Sequence, residues 1–186
     1  TTVTKEQFKM VTKKEEFPDF LQKDVKGNAL QVYANGELNY TLKDVHAKVA
    51  VYWNFQAPEG TGDTHYSIMK GSKSNLIVRQ GKDQKFKPVL YIEPISDSKE
   101  YEAALHERFK QIQEKFAGIE LKKLKKGYQV VIPDHYETGH EAHFAQVANK
   151  YMGFLKAGKL PEWEVPNMLT KYYITTSALK KAKESK

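Results

Sequence analysis

The period of the hydrophobic positions changes along the chain. From Val45 to Phe55 it is two: Val45, Ala47, Val49, Val51, Trp53 and Phe55 share one side of an extended strand. His46, Lys48, Ala50, Tyr52 and Asn54 share the other. The pattern predicts one face packed on a core and one polar, partly aromatic face. Leu30 to Tyr33 and Leu38 to Leu42 flank Asn35-Gly36, a pair that supplies two positive-φ residues, so a hairpin is expected there. Ala57-Pro58-Glu59-Gly60-Thr61-Gly62 breaks the pattern. Three more strands are expected at His65 to Met69, Asn75 to Arg79 and Pro88 to Ile95, with turns at Gly71-Ser72 and Gly81-Lys82-Asp83. Such short connections imply antiparallel neighbours.

Further on the period becomes helical. Tyr101, Leu105, Phe109, Ile112 and Phe116 recur every three or four residues after a capping box at Asp97-x-x-Glu100, and Gly118 stops the run. Leu121 to Leu124 and Tyr128 to Ile132 predict an isolated hairpin over Lys126-Gly127, its lysines discouraging edge pairing. A capping box at Thr138-Gly139-His140-Glu141 predicts a helix carrying Phe144, Val147, Tyr151 and Leu155, closed by Gly158. Pro161 and Pro166 bound a linker, and Pro166 suits the first turn of a last helix running to about Lys183. At the other end, Thr4-Lys5-Glu6-Gln7 is a capping box for a short helix ending near Val11. Strands come first and helices after, with one inserted hairpin. That order predicts an α+β fold, a predominantly antiparallel open sheet with helices packed on one face. At 186 residues it fits a single domain over 1–186.

Composition narrows the partners. Hydrophobic residues make up 40% of the chain, enough for a packed core, and no apolar run reaches the roughly 20 residues of a membrane span. Lys+Arg number 30 against 23 Asp+Glu, a net charge of +7. Only Arg79 and Arg108 are arginines, whereas nucleic-acid recognition favours the guanidinium fork. The lysine clusters therefore read as a solvated face. There is no cysteine, which excludes disulfides, thiolate metal sites and a cysteine nucleophile. That fits cytoplasm and periplasm equally and leaves the compartment open.

Two segments could carry chemistry. Gly60-Thr61-Gly62-Asp63-Thr64-His65-Tyr66-Ser67 places hydrogen-bonding side chains directly after a flexible loop, and His65 is its one group able to move a proton near neutral pH. The alternative is a turn in which Asp63 caps its own backbone. Asp134-His135 and His140-Glu141-Ala142-His143 suggest a metal site at first sight. Zinc-protease helices space their histidines four apart, and His140 and His143 are three apart. The alternative is that His140 decorates a helix N-terminus and His143 sits beside core Phe144. No metal, cofactor or catalytic residue is assigned: G-x-G-x-x-G, P-loop and G-x-S-x-G patterns are all absent from the sequence. Tyr52, Trp53, Tyr66 and Trp163 would suit sugar rings and subunit packing equally well.

Glu59 through Gly71, followed by Asn75 through Gly81, resembles the C-terminal domain of a group of bacterial oxidoreductases in the Gfo/Idh/MocA family. The tail, Gly139-His140-Glu141-Ala142-His143-Phe144 through Leu155 to Pro161 and a last helix, resembles the family's closing pattern. The resemblance implies an N-terminal Rossmann domain, absent from this chain, that binds NAD(P). It also implies a small sugar or polyol substrate, hydride transfer at a CH–OH group, and a homo-oligomer. The family's Glu-Lys-Pro lysine and helix-borne histidine have no counterpart here; Phe86-Lys87-Pro88 lacks the glutamate. The expectation is a domain silent by itself, with Asp63, Thr64, His65, Tyr66, His140 and His143 as candidate substrate-binding residues. A stand-alone carbohydrate-binding or scaffolding module is the alternative.

Overall fold

The computed structural model describes residues 1–96 and 98–184. They form strands β1 (Thr2–Thr4), β2 (Val25–Lys26), β3 (Ala29–Gln31), β4 (Gly36–Leu42), β5 (Val45–Val51), β6 (His65–Lys70), β7 (Ser74–Gln80), β8 (Val89–Pro94), β9 (Glu120–Lys123) and β10 (Tyr128–Val131). The α-helices are α1 (Lys5–Thr12), α2 (Lys99–Lys115), α3 (Gly139–Ala157) and α4 (Glu164–Glu184). Every strand pair is antiparallel, so the fold is α+β with open sheets.

The chain divides into two compact units: Thr1–Gln56 with Asn149–Lys186, and Ala57–Ala148. In the first, α1 starts where the capping box places it. The Gln7 amide donates to the Thr4 hydroxyl at 3.2 Å, and the Thr4 amide donates to the Gln7 side chain at 2.9 Å. Phe8 and Phe17 meet edge to face at 4.9 Å, with Val3 and Phe17 buried. β1, β3 and β2 make a small sheet, while β4 and β5 form a two-stranded one.

The hairpin expected at Asn35-Gly36 does not form. β3 pairs with β1 and β2, and the turn that closes a hairpin is Lys43-Asp44, with φ of 46° and 65° between Leu42 and Val45. Asn35 instead accepts a 2.6 Å hydrogen bond from the Trp53 amide. The alternation from Val45 holds as far as Val51; Phe55 then turns to a φ of 64° and ends the pattern. The face carrying Val45 was expected to pack on a core, yet Val45, Val49 and Val51 are exposed.

The second unit carries a five-stranded sheet in the order β6-β7-β8-β10-β9. The expected isolated hairpin is therefore part of the main sheet: Tyr128 pairs with Ile92 and Val130 with Leu90, because β10 offers apolar residues at the same period as β8. Helix α2 covers one face. Ile92, Phe109, Ile119, Tyr128 and Val130 form the core, with Leu90, Leu105 and Leu121 against it. The N-cap of α2 is Ser98, whose hydroxyl accepts from the Tyr101 amide at 3.0 Å; the Asp97 cap expected from the sequence lies outside the described residues. Gly118, at φ 83°, ends the segment as its position suggested. At α3, Gly139 takes a φ of 77°, and Thr138 makes no side-chain bond to the helix's first turn among the described residues. Pro166 lies in the first turn of α4.

Candidate functional site

The sheet end at the start of β6 is built from two loops. Thr61 closes a turn on Pro58, donating to its carbonyl through both the amide (3.0 Å) and the hydroxyl (2.6 Å). Gly60 is free to take the φ of 74° that this turn requires. Gly62 then passes so close to Phe86 that a Cβ would lie 3.2 Å from the Phe86 Cβ. Gln80 fixes the loop by donating to the Asp63 carbonyl at 3.0 Å. On the facing loop, Lys85 and Phe86 are consecutive left-handed residues, at φ 54° and 59°. A non-glycine residue there costs roughly 1–2 kcal/mol, so two in succession mark a segment held by its surroundings. Gln84 contributes by donating to the Tyr91 hydroxyl at 3.2 Å, and Phe86 bonds back to the Gly81 carbonyl at 2.8 Å.

This scaffold places the candidates in different directions. His65 pairs with Gln80 and Ser67 with Val78, which pairs in turn with Leu90. By alternation His65 belongs to the face that α2 covers, and Tyr66 to the opposite one. Asp63, Thr64, His65 and Tyr66 are all exposed. His140 and His143 lie on the first turns of α3. His140 stacks on Phe144 at 6.3 Å, and no hydrogen bond or ring contact joins either histidine to His65 among the described residues. Phe144 is itself exposed, so His143 is not beside a core residue as the alternative reading had it. Among the described residues no three His, Cys, Asp or Glu side chains gather as metal ligands.

Two clusters escaped the sequence. On the face of Tyr66, Arg79 bonds Glu93 at 3.0 Å and lies 5.4 Å from the centre of the Tyr91 ring. Tyr66 stands directly across from Arg79, 62% exposed, so a planar cation, a carboxylate and two phenols share one sheet face. On the α2 side, Glu102 accepts from Lys123 at 2.6 Å and from the Tyr128 hydroxyl at 2.8 Å, both through Oε1. The Lys123 hydrogen bond, then that from Tyr128, holds the Glu102 carboxyl below its ordinary range. Burial, then the bond to Glu102, pushes the Tyr128 phenol up. The His106 ring meets Tyr128 edge-on at 5.9 Å. This network borders a polar pocket of about 260 Å³ that also includes Lys99, Lys125 and Gly127. An apolar cleft of about 540 Å³ opens between α2 and the sheet, walled by Leu76, Ile92, Phe109, Phe116 and Ile132.

Among the described residues, no parallel strand runs through a glycine turn into a helix. Pyrophosphate sites use a glycine turn between a parallel strand and a helix. Here every strand pair among the described residues is antiparallel; the junctions Thr4-Lys5 and Pro94 to Lys99 contain no glycine, and the one from Val131 to Gly139 follows an antiparallel strand.

The sequence model of the family described as "Putative oxidoreductase C terminal domain" matches residues 1–183. The chain belongs to this family. It is also similar to a solved structure, described as a putative oxidoreductase from Parabacteroides merdae, with a TM-score of 0.90 and 48% identity. The match covers 100% of this chain and 43% of that one, so the domain spans less than half of its solved relative. No curated protein matches.

Proposed function

We propose that this domain forms the substrate side of an NAD(P)-dependent oxidoreductase of the Gfo/Idh/MocA type, acting on a CH–OH group of a sugar or polyol. Its N-terminal partner is a Rossmann domain that holds the cofactor, and the domain also assembles subunits. The observation that carries the reading is the family match over residues 1–183, joined to the 43% coverage of the solved oxidoreductase. The sheet end supports it. Gln80 and Phe86 hold the Gly60–Asp63 loop, and His65 follows at once; in this reading its imidazole hydrogen-bonds a substrate hydroxyl. The hydride chemistry belongs to the cofactor, and this chain contributes orientation.

Two measurements test this. The domain alone, titrated calorimetrically with NAD(H) and NADP(H), gives no saturable binding; micromolar binding would overturn the division of labour. In the full-length enzyme, His65→Ala raises KM and costs about 1–3 kcal/mol in kcat/KM, the range for an unmade hydrogen bond, without abolishing turnover. Unchanged kcat and KM would show that His65 is structural.

A further inference from the structure

The β4–β5 ribbon presents a problem that one of its own edges can solve. A two-stranded ribbon is marginal in water by itself. Here the aligned pairs Leu42–Val45, Tyr40–Ala47 and Leu38–Val49 lay a continuous apolar strip along one face, and Leu42, Val45, Val49 and Val51 on it are exposed. The other face is polar, with Thr41 bonded to His46 at 2.8 Å and Lys48 to Glu37 at 2.8 Å.

The Lys43-Asp44 turn fixes which backbone groups are free. A two-residue hairpin loop is closed by a hydrogen-bonded pair, here Leu42–Val45, and such pairs alternate along an antiparallel ladder. Leu42, Tyr40, Leu38 and Gly36 therefore spend their amides and carbonyls inside the ribbon. Glu37, Asn39 and Thr41 aim theirs outward from β4, while His46, Lys48 and Ala50 do so from β5.

The two edges differ in what they accept. A two-fold axis through the middle of β5 would set Lys48 opposite Lys48, a destabilising like-charge pair and a usual guard against edge pairing. An axis through the middle of β4 sets Asn39 opposite Asn39, Glu37 opposite Thr41, Leu38 opposite Tyr40 and Gly36 opposite Leu42. The one charge on that edge, Glu37, is already paired with Lys48. β4 contains no lysine, no proline and no bulge in its seven-residue register.

We propose that a second copy of this chain adds at the β4 edge, antiparallel and centred on Asn39, to give a continuous β5-β4-β4-β5 sheet. The inference rests on the assembly part of the proposed function and specifies its strand and register. The pairing satisfies the outward groups of Glu37, Asn39 and Thr41 and turns a two-stranded ribbon into a four-stranded sheet.

The test is residue-specific cross-linking of the full-length protein. The chain has no cysteine, so Asn39→Cys adds one thiol to it. A hydrogen-bonded antiparallel pair has Cα atoms about 5.5 Å apart, within disulfide reach. Oxidation of Asn39→Cys gives a dimer whose digest contains the 39–39 linked peptide, and Lys48→Cys gives none. Asn39→Lys, with far-UV circular dichroism unchanged, weakens the dimer at least tenfold in sedimentation, and Asn39→Gln restores it. An oligomer that lacks the 39–39 link and ignores Asn39→Lys overturns this inference alone. A monomer at every concentration overturns it together with the assembly role, while the substrate-side reading still stands on its kinetics.

Discussion

Gly127 holds the β9–β10 hairpin against β8, and replacing it by alanine should show how much that seat is worth. Its φ is 76°, and its carbonyl accepts the turn bond from the Leu124 amide at 2.9 Å. A Cβ at Gly127 would overlap the Ile92 carbonyl oxygen and lie 3.0 Å from Pro94 Cδ and 3.1 Å from Glu93 Cα. All three belong to β8, and a ladder strand cannot swing aside as a flexible side chain can. Gly158 provides the control: its φ is 66°, but a Cβ there meets nothing within 4 Å. The left-handed conformation costs a non-glycine residue roughly 1–2 kcal/mol at either site. Forcing atoms into a packed region adds typically about 1–3 kcal/mol. We therefore expect Gly158→Ala to cost about 1–2 kcal/mol and Gly127→Ala about 2–5 kcal/mol. Urea unfolding supplies the totals, and amide hydrogen exchange at β8 and β10 shows where the second variant loosens. If Gly127→Ala costs no more than Gly158→Ala, the Ile92 carbonyl is not the obstacle described and the argument fails.

Two further predictions concern the second unit's core. Glu102 has a folded pKa below its unfolded value of about 4.3, so its contribution is full above that pH and is lost as pH falls through the lower folded value. Tyr128 is the reverse case: its stabilisation is present below about pH 10 and lost as pH rises through its raised folded value. As pH falls below the ordinary carboxylate value, the urea midpoint of the wild type should drop more steeply than that of Glu102→Gln; equal slopes would refute the role given to the Lys123 and Tyr128 bonds. Phe109→Ala should cost about 3 kcal/mol, the low end for a buried phenylalanine, because Phe109 already borders the open apolar cleft and little new enclosed cavity forms. A loss under 1 kcal/mol in urea unfolding would mean that α2 is not seated on the sheet through Phe109.

Features set by neighbours in sequence could be read from it. The Thr4–Gln7 box, the alternation from Val45 to Val51, the meander from β6 to β8 and the stops at Gly118 and Gly158 all follow from residues within a few positions of one another. Errors came where a local signal competed with a distant one. Asn35-Gly36 is a better two-residue turn by composition than Lys43-Asp44, yet β3 is occupied on both edges, by β1 and β2, and the strand that begins at Gly36 pairs with β5. The Lys43-Asp44 turn carries no glycine to reveal its positive φ values. Docking of β10 on β8 joins Tyr128 to Ile92, 36 positions away, and no local period encodes such a pairing. The cap of α2, Ser98, is a residue type as suited to that position as aspartate.

The same distinction explains what could be read of the site. Asp63, Thr64, His65 and Tyr66 attract notice because they are contiguous, but alternation divides His65 from Tyr66, and all four are exposed. The Glu102–Lys123–Tyr128 network draws on α2, β9 and β10, and Arg79–Glu93–Tyr91 on two strands, so neither left a motif. These networks have side-chain partners at fixed distances, and the bonds at Glu102 lower its carboxyl while burial raises the Tyr128 phenol. Hydrogen bonds to a substrate discriminate strongly only where water is excluded, since in water each is exchanged for another of similar strength. An exposed His65 therefore gains leverage only when a second wall closes over the sheet end. Under the proposed function, the N-terminal Rossmann domain supplies that wall. That requirement makes kinetics of the full-length enzyme, rather than ligand binding by the domain alone, the decisive measurement for His65.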